Sequence, residues 1–408
     1  MKVILTTMDK LHQRRVGTVS RGIRCPIIRQ GDNLAEIACE CILGAAREEG
    51  FDIRNRDVVC VTESVVARAM GNYASVDAIA KDVREKTGGG TVGVIFPILS
   101  RNRFAVCLRG IAKGCRKIVL MLSYPSDEVG NSLVSLDQID AVGINPYSDV
   151  LSLERYRELF GVNLHEFTGI DYIDYYMQLI RESGAEVQVV FANRALAILN
   201  YTDTVIACDI HTRKRSKRLL RDAGARVVLG LDDILTAPVD GSGYNETYGL
   251  LGSNKASEDS VKLFPRDCQG LVLDIQKRIL DATGKHVEVM IYGDGAFKDP
   301  QGRIWELADP VVSPAFTDGL KGTPNELKIK YLADNDFASL SGEELRNAIS
   351  ESIRHKDADL KGSMASEGTT PRQLTDLIGS LCDLTSGSGD KGTPIVLVQG
   401  YFDNYSTE

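Results

Sequence analysis

The chain reads as an α/β protein, an α+β core interrupted by a mainly parallel α/β unit. Three observations carry that reading. Strand-type apolar runs alternate with helical segments along most of its length. Lys117–Leu122, Val187–Phe191 and Thr204–Ile210 are short continuous apolar runs, as expected of strands covered on both faces. Several helical segments open on capping signals, so their starts are written locally.

In chain order, Ile23–Ile28 reads as a strand. Asn33-Leu-Ala-Glu36 is a capping box that opens a helix to about Glu49, with Ile37, Cys41 and Ala45 at helical spacing. Asp57–Thr62 is a strand. Ser75–Thr87 is a helix closed by Gly88-Gly89-Gly90. Thr91–Leu99 is a β-branched run, and Arg103–Lys113 a helix after Ser100. Beyond residue 116 the three buried strands alternate with a helical, aromatic-rich stretch from Tyr147 to Gly184. A basic helix over Arg213–Ala223 and the run Arg226–Leu229 follow. Asp267–Ala282 is a helix and Val287–Tyr292 a strand ending in Gly293-Asp294-Gly295. Ser341-Gly-Glu-Glu344 and Thr370-Pro371-Arg-Gln373 are further capping boxes, and Pro394–Gln399 is the last strand. The division that follows is 1–115 and 240–408 as two parts of one core, with 116–239 inserted.

Composition narrows the class. At 408 residues, two or three structural units are expected. Hydrophobic content of 43% with 25% charged residues is that of a soluble globular protein. A net charge of −8 removes any global attraction to nucleic acid or an anionic membrane, so anionic ligands must be held by local basic residues. Nine cysteines without a CxxC pair read as reduced thiols in a cytoplasmic protein, with no zinc site. Val3-Ile4-Leu5 is too short for a signal peptide, and no apolar run of membrane-spanning length occurs.

The most informative segment is Asp240–Lys255, with four glycines, two asparagines and a terminal lysine. It has no hydrophobic period. Glycines let backbone N–H groups converge and a lysine adds positive charge, which suits a phosphate or another anion. A long surface loop with hairpin turns is the alternative. Ser386-Gly-Ser-Gly-Asp-Lys-Gly392 is a second phosphate-cradle candidate, although it lacks the GxxxxGK[ST] pattern and precedes a strand rather than a helix. Asp294, at a strand end between glycines, suits Mg²⁺ or Mn²⁺, or else a simple turn, with Asp299, Glu306 and Asp309 nearby. Asp209-Ile-His211 ends another strand. Ser100-Arg101-Asn-Arg103 could bind an anion at a helix start, and Thr62-Glu63-Ser64 with Arg68 forms a polar cluster.

Four of these segments, in order, resemble the γ-glutamyl ligases of coenzyme F-420, the deazaflavin cofactor. They are Cys25-Pro-Ile-Ile-Arg-Gln-Gly-Asp-Asn-Leu34, Thr62–Gly71, Thr283–Asp294 and Ser386–Gly400. The resemblance covers about 1–112 and 246–408, with Gly252-Ser-Asn254 matching the end of a further family segment. It implies a GTP-dependent, Mg²⁺- or Mn²⁺-dependent amide ligase that joins L-glutamate to a carboxylate of a small acceptor through an acyl phosphate, and a homodimer.

Carried over by position, the nucleotide contacts would be Cys25, Pro26, Ile27, Ile28, Glu63, Ser64, Arg68, Asn254, Ser386, Gly387, Ser388, Gly389, Asp390 and Gly392. Arg68 and Lys255 would be catalytic, and Asp294 would bind metal. Arg68 stands where the family has lysine, and Met70 where it has glutamate. Leu251 falls near the first metal aspartate and cannot coordinate, so either the inserted unit supplies a replacement carboxylate, with Asp209 the first choice, or metal-dependent ligation is altered or lost. A folate-type glutamyl ligase and a non-catalytic ligand-binding or regulatory protein are the alternatives. A dinucleotide oxidoreductase is disfavoured because no GxGxxG follows a strand.

Overall fold

The computed structural model describes residues 16–294, 309–360, 362–366, 372–386 and 390–407. In chain order, β1 (Val19–Ile23) leads to α1 (Leu34–Glu49), β2 (Val58–Thr62) runs straight into α2 (Glu63–Met70), and β3 (Tyr73–Ser75) into α3 (Val76–Thr87). Then come β4 (Thr91–Ile95), α4 (Ala105–Lys113), β5 (Lys117–Leu122), α5 (Leu136–Val142), β6 (Leu151–Ser152), α6 (Leu153–Phe160), α7 (Tyr172–Glu182), β7 (Glu186–Phe191), β8 (Thr204–Ala207), α8 (Arg213–Asp222) and β9 (Val227–Gly230). The rest comprises β10 (Asn254–Ser257), β11 (Ser260–Lys262), α9 (Cys268–Thr283), β12 (Glu288–Tyr292), β13 (Ala315–Phe316), α10 (Ile329–Asp334), α11 (Gly342–Arg354), α12 (Leu374–Thr385) and β14 (Ile395–Gln399). None of the described helices is long and apolar enough to cross a membrane.

The strands form three sheets. The first has the order β1-β14-β2-β12-β13, with β2 and β12 parallel at its centre and the other pairs antiparallel. All five residues of β12 and of β14 are buried, because helices cover both faces. One face packs Val59, Val61 and Val289 against α1 and α9, through Ala38, Ile42, Ile275 and Ile279. The other packs Val58, Met290 and Val396 against Ile378 and Cys382 of α12. Each such buried aliphatic side chain stabilises the fold by roughly 1.5–3 kcal/mol relative to exposure.

The second sheet has the order β6-β7-β5-β4-β8-β9, parallel except for β6. Its parallel strands lie in the chain order third, second, first, fourth, fifth. That is a doubly wound arrangement whose order reverses between β4 and β8. Helices α3, α4 and α7 cover one face, and α8 with the 3₁₀ turn Ala195–Asn200 covers the other. The α/β class with a mainly parallel sheet is as the sequence predicts, but this sheet also recruits β4. A boundary at residues 115 and 116 therefore cuts between the paired strands β4 and β5.

The third sheet, β10-β11-β3, is antiparallel and joins the glycine-rich segment to the chain after α2. Asp240–Ser253 is irregular yet tightly held. Asn245 Nδ2 donates to the carbonyls of Phe264 and Pro265, both at 3.1 Å, while its Oδ1 accepts from the amides of Thr247 and Tyr248. Asn72 Nδ2 also donates to Phe264 O, and its Oδ1 accepts from Arg266 and the Tyr244 amide. Leu250 and Leu251 are in the core.

Local signals are expressed in detail at several ends. Asn33 caps α1 by accepting from the Glu36 amide and donating to the Glu36 carboxylate, and Gly50 closes that helix in the left-handed region. Ser75 caps α3, and Gly88 ends it at φ 78°. Ser341 is the N-cap of α11 but makes no side-chain cap bond. The strand expected over Ile23–Ile28 ends at Ile23 instead, because Pro26 has no N–H for a ladder. Thr370-Pro371 lies outside the described residues.

Candidate active site

One cleft of about 930 Å³ opens where the carboxyl ends of β2 and β12 emerge side by side. This is the upper end of the roughly 300–1,000 Å³ typical of small-molecule sites. From β2 come Thr62, Glu63, Ser64 and, one turn further along α2, Arg68. From β12 come Tyr292, Gly293 and Asp294. Because β14 is antiparallel to β2, the cleft meets its beginning, at Gly392, Thr393 and Pro394. Cys25–Ile28, just past β1, is tied there by the Cys25 amide donating to Gly392 O at 3.1 Å. The opposing wall is Asn254, Lys255 and Lys262 from the third sheet, with Asn102 and Arg103 from the loop between β4 and α4.

Charge is concentrated here. Arg103 donates to Asp309 Oδ1 at 2.5 Å and to Asp294 Oδ2 at 2.6 Å. The other Asp309 oxygen accepts from the Asp294 amide at 2.8 Å. A Cβ at residue 293 would lie 2.2 Å from Asp309 Oδ2, so any residue larger than glycine there would displace that carboxylate. Burial acts against the Arg103 charge, but Asp309 and then Asp294 outweigh it and raise its pKa. Lys262 Nζ lies 3.3 Å from both Glu63 oxygens and donates to Ser64 Oγ at 2.7 Å. Lys255 pairs with Glu258 on the β10–β11 hairpin, and its amide donates to Asn102 O at 2.7 Å. Arg68 is exposed at the cleft rim.

Burial pushes the Glu63 carboxyl up from 4.5 to about 7. Lys262 pulls it back, Asp309 raises it and Arg103 lowers it, but desolvation wins despite the ion pair. The folded state therefore holds this proton more tightly than the unfolded chain. The stability it contributes is complete below about pH 4.5 and is lost as pH rises through about 7. Chemical denaturation across that window should show unfolding free energy declining with pH in the wild type. In Glu63→Gln the decline should be flatter, and an unchanged slope would remove Glu63 as its source.

The structure gathers Cys25, Pro26, Ile27, Ile28, Glu63, Ser64, Arg68, Asn254, Lys255, Asp294, Ser386 and Gly392 around this cleft, although they span most of the chain. Asp390 is exposed and does not line it, and Gly387, Ser388 and Gly389 lie outside the described residues. Asp209 does not line it either. It follows β8 in the doubly wound sheet, where its Oδ2 accepts from Thr212 Oγ1 and Ser216 Oγ, both at 2.8 Å, at the start of α8. Leu251 is buried in the core, so its position offers the cleft no donor of any kind. Lys262 was not singled out by sequence. Its signal is a lone lysine within the apolar run Val261–Phe264.

Among the described residues, no group of three His, Cys, Asp or Glu side chains is arranged to hold a metal ion. The nearest approach is the Asp294–Asp309 pair, whose carboxylates converge on the Arg103 guanidinium. These are hard oxygen donors, one Asp309 oxygen is held by the Asp294 amide, and Asp294 faces the cleft. They fit a magnesium- or manganese-type cation wherever Arg103 is not between them. All nine cysteines are free, and none adds a soft ligand to this pair.

No curated protein matches the chain. Residues 22–400, a span that includes 116–239, match the family described as F420-0:Gamma-glutamyl ligase. The cleft with its cations and carboxylates thus belongs to a chain that is itself a member of the F420-0:gamma-glutamyl ligase family, an enzyme joining glutamate to a small-molecule carboxylate in F420 biosynthesis.

Proposed function

We propose that the cleft binds GTP and a divalent cation and uses them to form an amide between L-glutamate and a carboxylate of the F420 precursor. The γ-phosphoryl group passes to the acceptor carboxylate, giving an acyl phosphate and GDP. The glutamate amine, in its neutral form, then attacks the acyl carbon. A C–N bond forms, the bond to the phosphate oxygen breaks, and the amine proton leaves to solvent. The observation that carries this reading is the meeting of Arg68, Arg103, Lys255 and Lys262 with Asp294 in one cleft, with Asp309 paired to Arg103 behind it.

Each part of the cleft has work in such a reaction. The first turn of α2 faces the cleft, and its N-cap Thr62 makes no side-chain cap bond, so its amides suit a phosphate. Lys262, fixed by Glu63 and Ser64, places a positive charge beside that turn. Arg68 and Lys255 approach from the rim and can neutralise the transferring phosphoryl oxygens. Cys25–Ile28 supplies an apolar edge for the base. Asp294, with Asp309 behind it, would hold the cation, which supplies charge neutralisation across the phosphate oxygens. A homodimer is proposed on the family resemblance.

The test is phosphate release by purified protein given GTP or ATP, Mn²⁺, L-glutamate and the F420 precursor. Release should need all four components and favour GTP. Nucleotide binding without release would instead support a ligand-binding or regulatory protein on this scaffold.

A further inference from the structure

We propose that Arg103 is an exchangeable counter-ion. In the nucleotide-free cleft its guanidinium stands between Asp294 and Asp309 where a divalent cation would sit. It leaves that place only when nucleotide phosphates arrive to receive it. The proposal rests on the nucleotide-and-metal reading above and adds an order of events and a gating residue to it.

Three features lead there. First, Asp309 is held by a contact besides Arg103. Its Oδ2 accepts from the Asp294 amide at 2.8 Å, while its Oδ1 accepts from Arg103. Withdrawing the guanidinium therefore leaves Asp309 tied to the backbone of Asp294. Second, Arg103 comes from another part of the fold. It follows the loop after β4, in the second sheet, and it is itself part of the cleft wall. A guanidinium on a long side chain can turn from the carboxylates toward the cleft without moving either sheet. Third, the local charge favours this order. Glu63, Asp294 and Asp309 face Arg103 and Lys262, so a dication added while Arg103 stays would crowd three cations together. A dication replacing Arg103 would strand a largely buried guanidinium unless a phosphate were present to accept its hydrogen bonds. Metal without nucleotide is thus disfavoured, and nucleotide with metal is favoured.

The experiment is Mn²⁺ binding to nucleotide-free full-length protein, followed by the EPR signal of free Mn²⁺. The wild type should bind weakly at this pair. Arg103→Met, which vacates the place while keeping an apolar stem, should bind at least about tenfold more tightly. Adding Asp294→Asn to Arg103→Met should abolish that gain. Arg103→Lys provides a check in case the methionine variant folds poorly. A point charge cannot bridge both carboxylates, so its Mn²⁺ affinity should fall between the two. Equal nucleotide-free affinity in the wild type, Arg103→Met and Arg103→Lys would overturn the proposal. Binding of a non-hydrolysable GTP analogue, measured separately by fluorescence anisotropy, distinguishes the two failures. If the analogue binds and Mn²⁺ affinity is unmoved, the counter-ion role fails alone. If the analogue does not bind, the nucleotide reading fails first.

Discussion

Asp309→Ala is expected to destabilise the protein by about 3–5 kcal/mol, the usual cost of leaving one member of a buried ion pair without its partner. The Asp309 side chain is 1% exposed, and it serves two groups at once, accepting from Arg103 and from the Asp294 amide. Alanine removes both acceptors and leaves a partly buried guanidinium paired with Asp294 alone. Asp309→Asn retains an oxygen for the amide and should cost less. Urea denaturation of the three proteins would decide. A loss below about 1 kcal/mol for the alanine variant would place this pair among the weak ion pairs of the surface.

Asp294→Asn is expected to act on turnover rather than on folding. Asp294 is partly exposed to the cleft, and asparagine keeps its shape and its backbone amide. What it loses is the negative charge that would hold the cation. Charge stabilisation of this kind contributes several kcal/mol in the transition state, so kcat should fall about 10²–10³-fold. The midpoint of denaturation should move little by comparison. A kcat within about threefold of wild type at saturating Mn²⁺, less than 1 kcal/mol of barrier, would take Asp294 out of the chemistry.

Much of the fold is legible in the sequence where signals are local. Asn33 with Glu36, and Ser75 with the glycines at 88–90, fix the ends of α1 and α3, and both helices form close to where those residues indicate. The parallel sheet is legible because strands covered on both faces read as unbroken apolar runs. What is not legible is long-range pairing. Nothing within Thr91–Ile95 tells that β4 joins the second sheet, because its partners are β5 and β8 rather than the strand before it. The third sheet escapes for another reason. Asn254–Ser257 is short, polar and largely exposed, so it shows no alternation between a buried and an exposed face.

The site follows the same division. The segments at 25–28, 62–68 and 292–294 stand out by composition, and the parallel pairing of β2 with β12 brings the last two together. The glycine-rich segment is less of a phosphate loop than its composition suggests. Two buried asparagines and the core residues Leu250 and Leu251 hold its body, and only its end at Asn254 and Lys255 reaches the cleft. Arg103 and Asp309, at the centre of the charge cluster, are 206 residues apart, and no pattern in the sequence joins them.

The central claim is glutamyl transfer in this cleft, and mass spectrometry of the acceptor tests it most directly. Protein incubated with GTP, Mn²⁺, L-glutamate and the F420 precursor should yield acceptor heavier by one glutamyl residue. Asp294→Asn should yield far less in the same time. Precursor recovered unmodified by the wild type, with GTP bound and the protein folded, would contradict the account.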